Sequence, residues 1–321
     1  MRSEKDRASG NSIGAPITGH SKEQAMSKTR IIALTSLAMV AFAGNSLLCR
    51  VALKSAGIDP ASFTAIRLTS GAVMLWLVVR LKRGARGDGG NFLSAAALFA
   101  YAAGFSFAYM SLPASTGALL LFGAVQATMI GHALRAGERL RRLQLVGLVL
   151  ALGGLVGLFL PGLSAPPVIG SLLMLGAGVA WGIYSLRGKG AGDPTRVTAG
   201  NFLRAVPFAA VLSVLMFGRA SVDGRGLLYA VSSGALASGI GYAVWYAALP
   251  ALQEASAATV QLSVPVIAAA GGVAFLGESV TPRLILASAA ILGGIALVVV
   301  RSRSAGGVPR AARPDAESSG D

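Results

Sequence analysis

The chain has 321 residues, of which 54% are hydrophobic and only 13% charged, with a formal net charge of +15. Soluble globular domains carry about a quarter charged residues, so that class is excluded. The basic excess would suit nucleic acid if it formed a patch, but it is distributed by side instead. Sorted by alternate ends of the apolar runs, 21 of the 28 Lys and Arg fall on one side and 5 on the other. The remaining 2, Arg67 and Arg204, lie within runs. The positive-inside rule then places both termini in the cytoplasm and requires an even number of spans. The partner this implies is a lipid bilayer, with no nucleic acid.

Ten apolar runs approach the roughly 20 residues that a bilayer crossing needs. They predict helices at 31–49, 61–80, 91–111, 114–133, 141–160, 168–186, 196–217, 227–248, 252–275 and 284–301. Ala41-Phe42-Ala43 in the first run mimics a cleavage site. The polar lead over 1–30 and the long apolar run nevertheless read as a span rather than a removed signal. The tails 1–30 and 302–321 are rich in Ser, Gly, Pro and charge and are expected to lack fixed structure. The single cysteine, Cys49, rules out an internal disulfide.

The chain repeats itself. Gly104, Phe105, Tyr109, Leu112, Pro113 and Ala114 recur 137 residues later as Gly241, Tyr242, Tyr246, Leu249, Pro250 and Ala251. Gly137-Glu138 and Leu152-Gly153-Gly154 recur 140 residues later as Gly277-Glu278 and Leu292-Gly293-Gly294. Asp59-Pro60 opens the second span and Asp193-Pro194 the seventh, an N-cap followed by a first-turn proline. Each is followed by an arginine inside its span, Arg67 and Arg204. Five spans per half force the second half to enter from the opposite face. The predicted fold is an all-α membrane protein of ten transmembrane helices in two inverted five-helix repeats, 31–160 and 161–301.

These motifs resemble the EamA-type branch of the drug/metabolite transporter superfamily. The likeness covers about 31–301 and rests on the two Gly-Glu pairs, the two Leu-Gly-Gly runs, the early arginines and Val264-Pro265-Val266. The first-half counterpart of the last motif, Ala124-Val125-Gln126, lacks the proline. Membership of that family implies an inner-membrane exporter of amino acids, metabolites or drug-like molecules.

Polar groups inside a bilayer are costly and need a role. Arg67 and Arg204 admit two readings: binding a substrate carboxylate, or capping carbonyls and snorkelling to the interface. Asn45, Gln126 and Gln261 suit either a ligand contact or a helix–helix hydrogen bond. Phe105 and Tyr242 on repeat-related spans, with Trp181 and Tyr184, would line a cavity for a small-molecule substrate. Tyr109 and Tyr246, near span ends, are expected in an interfacial aromatic belt. Gly153 with Gly157, and Ala289 with Gly293, permit close helix packing and leave a homodimer open. Pro265 is a candidate hinge, and Glu254 is the candidate proton-coupling group. Glu138 and Glu278 are expected to cap the following helix or pair with loop arginines.

No cofactor or metal is expected. An intramembrane enzyme would need a nucleophile–base pair or a metal cluster, and the spans carry no such set. A channel would show charge rings or a filter loop. The functional reading is a secondary transporter of the inner membrane, exporting small organic metabolites such as amino acids by alternating access. Drug efflux or metabolite uptake would use the same architecture.

Overall fold

The structure, a computed structural model, describes residues 27–81, 89–137, 141–160, 165–188, 192–252, 257 and 260–301. Glu138 and Glu254 lie outside the described residues, as do most of the two tails. Among the described residues every regular element is helical. In chain order they are α1 (Lys28–Ser55), α2 (Pro60–Leu81), α3 (Phe92–Tyr109), α4 (Ala114–Arg135) and α5 (Arg142–Phe159). There follow α6 (Val168–Gly188), α7 (Pro194–Leu215), α8 (Gly224–Ala251), α9 (Ser263–Leu276) and α10 (Pro282–Arg301). Seven of these, α1 to α4 and α6 to α8, are long and apolar enough to cross a membrane, while α5, α9 and α10 are shorter apolar helices. The run expected at 252–275 departs most from prediction. Leu252 is extended, and a turn at Leu262 separates the helical Val260 and Gln261 from α9.

Short polar side chains start the helices by accepting from orphan N–H groups of the first turn. Asp59 accepts from Ala61 and Ser62, Asn91 from Ser94, Asp193 from Thr195 and Asp223 from Gly226. The repeated Gly-Glu motif marks helix ends. Gly137 follows α4 at φ 91° and Gly277 closes α9 at φ 62°, a left-handed conformation that glycine adopts without strain.

Helix α2 packs on α7 and α8, α3 on α6 and α7, α4 on α6 and α9, and α1 on α8 and α9. Helices α5 and α10 pair with each other at the edge, with α10 also touching α4. Large apolar side chains such as Trp76, Val149, Leu203, Val214, Phe275 and Leu286 face outward, as a lipid-exposed surface requires.

The α5–α10 contact corrects an expectation. An added Cβ on Gly147 would stand 2.5 Å from the Gly294 carbonyl oxygen, and one on Gly154 would stand 2.7 Å from Ala290 Cβ. Gly153, Gly157 and Gly293 would meet nothing within 4 Å. Gly147 and Gly154 share one face two turns apart, whereas Gly153 is rotated away by about 100°. The close approach therefore belongs to Gly147, Gly154 and Gly294.

The chain is fastened at both ends of α2. At one end the α1–α2 and α7–α8 connections exchange hydrogen bonds. Asp59 N donates to Ser221 O at 3.0 Å, Ser221 N to Asp59 Oδ2 at 3.0 Å and Asp223 N to Gly57 O at 3.1 Å. At the other end Asn91 N donates to Asn201 Oδ1 at 2.9 Å and Arg204 Nη1 to Gly89 O at 2.6 Å. Partial burial would raise the Asp59 carboxyl, but hydrogen bonds from Ser62, Ser221 and Ala61 outweigh it and hold the group below its ordinary value. Hydrogen bonds from the Gly226 and Gly57 backbone lower Asp223 likewise.

Two outcomes follow. Gly147→Ala and Gly294→Ala destabilise the protein by about 1–3 kcal/mol through overpacking, whereas Gly153→Ala is neutral, as read by thermal midpoints in detergent. A carboxyl lowered in the fold stabilises it above the unfolded pKa and stops doing so as pH falls through the folded value. The thermal midpoint therefore drops below about pH 4, and drops less steeply in an Asp59→Asn/Asp223→Asn variant.

Candidate functional site

Side chains from several helices meet at a buried polar centre. Arg67, in α2, is 1% exposed. Its Nη2 donates to Tyr101 Oη of α3 at 2.9 Å and its Nε to Ser238 Oγ of α8 at 3.4 Å. The guanidinium also lies over two rings, 5.1 Å from the centroid of Tyr101 and 5.0 Å from that of Phe105, a favourable cation–π arrangement. From α1, Asn45 Nδ2 donates to the same Tyr101 oxygen at 3.4 Å, while Ser233 Oγ of α8 donates to Asn45 Oδ1 at 2.6 Å. Nη1 of Arg67 has no hydrogen-bond partner among the described residues.

The backbone of α8 makes this convergence feasible. Residues Ser232–Ile240 form a π-helical segment between two α-helical ones. Two residues five apart are separated by about 140° on an α-helix, but the i→i+5 bonding of a π-helix carries them to one side. Ser233 and Ser238 are such a pair. Gly234, between them, lies so close to the Arg67 carbonyl and Ser70 Oγ that a Cβ there would clash.

An aromatic train runs from this centre. Trp181 of α6 lies between Tyr101, at 4.8 Å between centroids, and Tyr242 of α8, stacked at 5.3 Å. Tyr184 stacks on Trp181 at 5.2 Å, and Phe105 is 5.4 Å from Tyr101. The structure thus brings Asn45, Arg67, Phe105, Trp181, Tyr184 and Tyr242 into one connected cluster. Tyr101, Ser233 and Ser238 join it without having been singled out as site residues. Tyr101 carried the signal of an aromatic-rich span; the serines carried none.

Other candidates lie elsewhere. Arg204 spans the Gly89 and Gly200 carbonyls and sits 5.8 Å from the Phe92 ring, at the far end of α2. Its register explains this. Arg67 comes seven residues after Pro60, but the residue seven after Pro194 is Asn201, and Arg204 is about one turn further on. Gln126 is buried within α4 and Gln261 is partly buried just before α9. Pro265 falls in the first turn of α9, three residues past the turn at Leu262. Tyr109 is corrected. It is wholly buried, donates to Ala114 O at 3.3 Å and packs edge-on against Phe105 at 4.7 Å, so it is no interfacial belt residue.

Glu278 is corrected too. It caps α4 rather than the helix that follows it, accepting from Ala114 N at 3.0 and 2.9 Å. It pairs at 3.3 Å with Arg50, which lies inside α1 rather than in a loop. Arg50 Nη1 also donates to the terminal α3 carbonyls of Tyr109 and Met110 at 2.8 and 3.2 Å. One ion pair thereby ties α1, α3, α4 and the α9–α10 turn together. Among the described residues no group of three or more His, Cys, Asp or Glu is placed to hold a metal.

A helical bundle with an apolar exterior and a buried, polar, aromatic-walled centre is the architecture of a membrane carrier. The EamA-like transporter family model matches residues 29–160 and again 168–300, and the chain belongs to that family. It is 58% identical to an uncharacterised Pseudomonas aeruginosa protein over 85% of this chain and 96% of that one. The threonine/homoserine exporter RhtA of Escherichia coli is 36% identical over 161 residues, 47% of this chain and about half (53%) of the exporter. A solved crystal structure superposes with a TM-score of 0.61 over 86% of this chain and 99% of its own, at 21% identity, a likeness of fold alone.

Removing one partner of a buried ion pair strands the other charge. Glu278→Gln is therefore expected to cost about 3 kcal/mol. Combining it with Arg50→Gln costs less than the sum of the two single changes, as a double-mutant cycle on thermal midpoints would register.

Proposed function

We propose that this protein is a secondary transporter of the inner membrane that exports small organic metabolites, amino acids among them, by alternating access. The observation that carries the reading is the position of the polar centre. Asn45, Arg67 and Tyr101 come from the first five helices, while Trp181, Ser233, Ser238 and Tyr242 come from the last five. A site at the seam of two halves is where rocking of one against the other exposes a substrate first to one face and then to the other.

The two halves are read as inverted five-helix repeats, 31–160 and 161–301, with both termini cytoplasmic. The double match to one family model supports this, and so does the packing. The α1–α8 contact has a counterpart in α6–α3, α1–α9 in α6–α4 and α2–α8 in α7–α3, while α2–α7 and α5–α10 are their own counterparts. The fastenings at opposite ends of α2 serve as the two gates, and α5 and α10 at the edge as scaffold. Similarity to a threonine/homoserine exporter favours amino acids as cargo.

The test is the amino-acid profile of the medium around bacteria overexpressing the chain, against empty-vector cells with membrane levels checked. Threonine, homoserine or another amino acid accumulating outside only with the protein is the expected result. An unchanged medium at verified expression overturns export.

A further inference from the structure

The polar centre holds two groups with unspent donor hydrogens side by side, Nη1 of Arg67 and the Tyr101 hydroxyl. Arginine remains protonated in proteins and has five N–H donors and no acceptor. In Arg67, Nε is taken by Ser238 and Nη2 bonds Tyr101, which leaves Nη1 unpartnered at 1% exposure. The second donor follows from the chemistry of Tyr101. Its hydroxyl oxygen receives from Arg67 Nη2 at 2.9 Å and from Asn45 Nδ2 at 3.4 Å. Guanidinium and amide N–H groups only donate, so both of these bonds occupy the phenolic oxygen as acceptor. The Tyr101 O–H proton is left over. Asn45 turns its Nδ2 to Tyr101, and its Oδ1 accepts from the Ser233 hydroxyl at 2.6 Å.

No carboxylate of the described chain answers this charge. Asp59, Asp193 and Asp223 sit at helix starts, and Glu278 is engaged with Arg50 and Ala114. What completes the centre is a ligand with one negative charge and two acceptor oxygens.

We propose that Arg67 Nη1 and the Tyr101 O–H together bind a carboxylate of the transported molecule, which makes the cargo class carboxylic acids, amino acids among them, and the cargo itself the counter-ion of Arg67. The Trp181–Tyr242 stack, next to Tyr101, faces the rest of the molecule. This assignment rests on the transporter reading for its purpose, but the binding chemistry is testable without transport.

The experiment is a thermal-midpoint titration of the detergent-purified full chain at constant ionic strength with L-threonine, L-homoserine, sodium acetate and L-threoninamide. The acids are expected to raise the midpoint and the amide to leave it unchanged, a comparison that needs no variant. Arg67→Gln abolishes the rise, and Tyr101→Phe shifts its half-effect concentration upward about tenfold, the loss of one hydrogen bond to a charged group. Equal shifts by acid and amide, or no shift with any acid, overturn the proposal. So does undiminished amino-acid export by cells carrying Arg67→Gln, which leaves the export reading standing. An acid-specific shift in a chain that exports nothing supports the carboxylate site and ends the export reading instead.

Discussion

A full positive charge buried near the middle of an apolar bundle sets the terms for everything packed around it. Lipid supplies no hydrogen bonds, so each polar group within the bilayer must find its partner in the protein. Arg67 finds a hydroxyl on α3, a hydroxyl on α8 and the faces of two rings. Meeting those demands requires α2, α3 and α8 to come close at one level. The π-helical turn places Ser238 within reach, and Gly234 lets the backbones of α2 and α8 approach. A local departure from α-helical geometry is thus explained by the residue it serves.

The contacts outside this centre are of three kinds. The Arg50–Glu278 pair is charged, buried and bonded on several sides, and it joins four elements at one point. The fastenings at the two ends of α2 consist of a few hydrogen bonds each, with net contributions of about 1 kcal/mol apiece. Bonds of that size hold a conformation without locking it. The α5–α10 pair is different again: it packs backbone against backbone through Gly147, Gly154 and Gly294 and touches the rest of the bundle mainly through α4.

Where reading the chain went astray, the reason is geometric. Gly153 and Gly157 have the right spacing for close packing, but spacing defines a face and not which neighbour that face meets. Arg204 looked like the partner of Arg67 because each lies inside a span that an Asp-Pro pair opens. One turn of register separates the two, and a long side chain that can reach a loop carbonyl does so. Tyr109 ends a helix, which suggested an interface. Yet the chain folds back so tightly through Ser111–Pro113 that the ring packs against the start of α4, at Ala114 and Gly117.

The sequence by itself determined the helical class, the approximate helix ends, the internal repetition and the family. Those follow from properties local to the chain: apolar length, Asp and Asn at helix starts, glycine where a left-handed residue ends a helix. It also picked out Asn45, Arg67, Phe105, Trp181, Tyr184 and Tyr242 as groups needing a purpose. Only the tertiary structure decided that these meet at one point, that Tyr101, Ser233 and Ser238 complete them, and that Arg204 does not. Convergence depends on crossing positions and helix rotation, which are set by long-range packing and by a π-helical turn in α8 that leaves no trace in residue pattern.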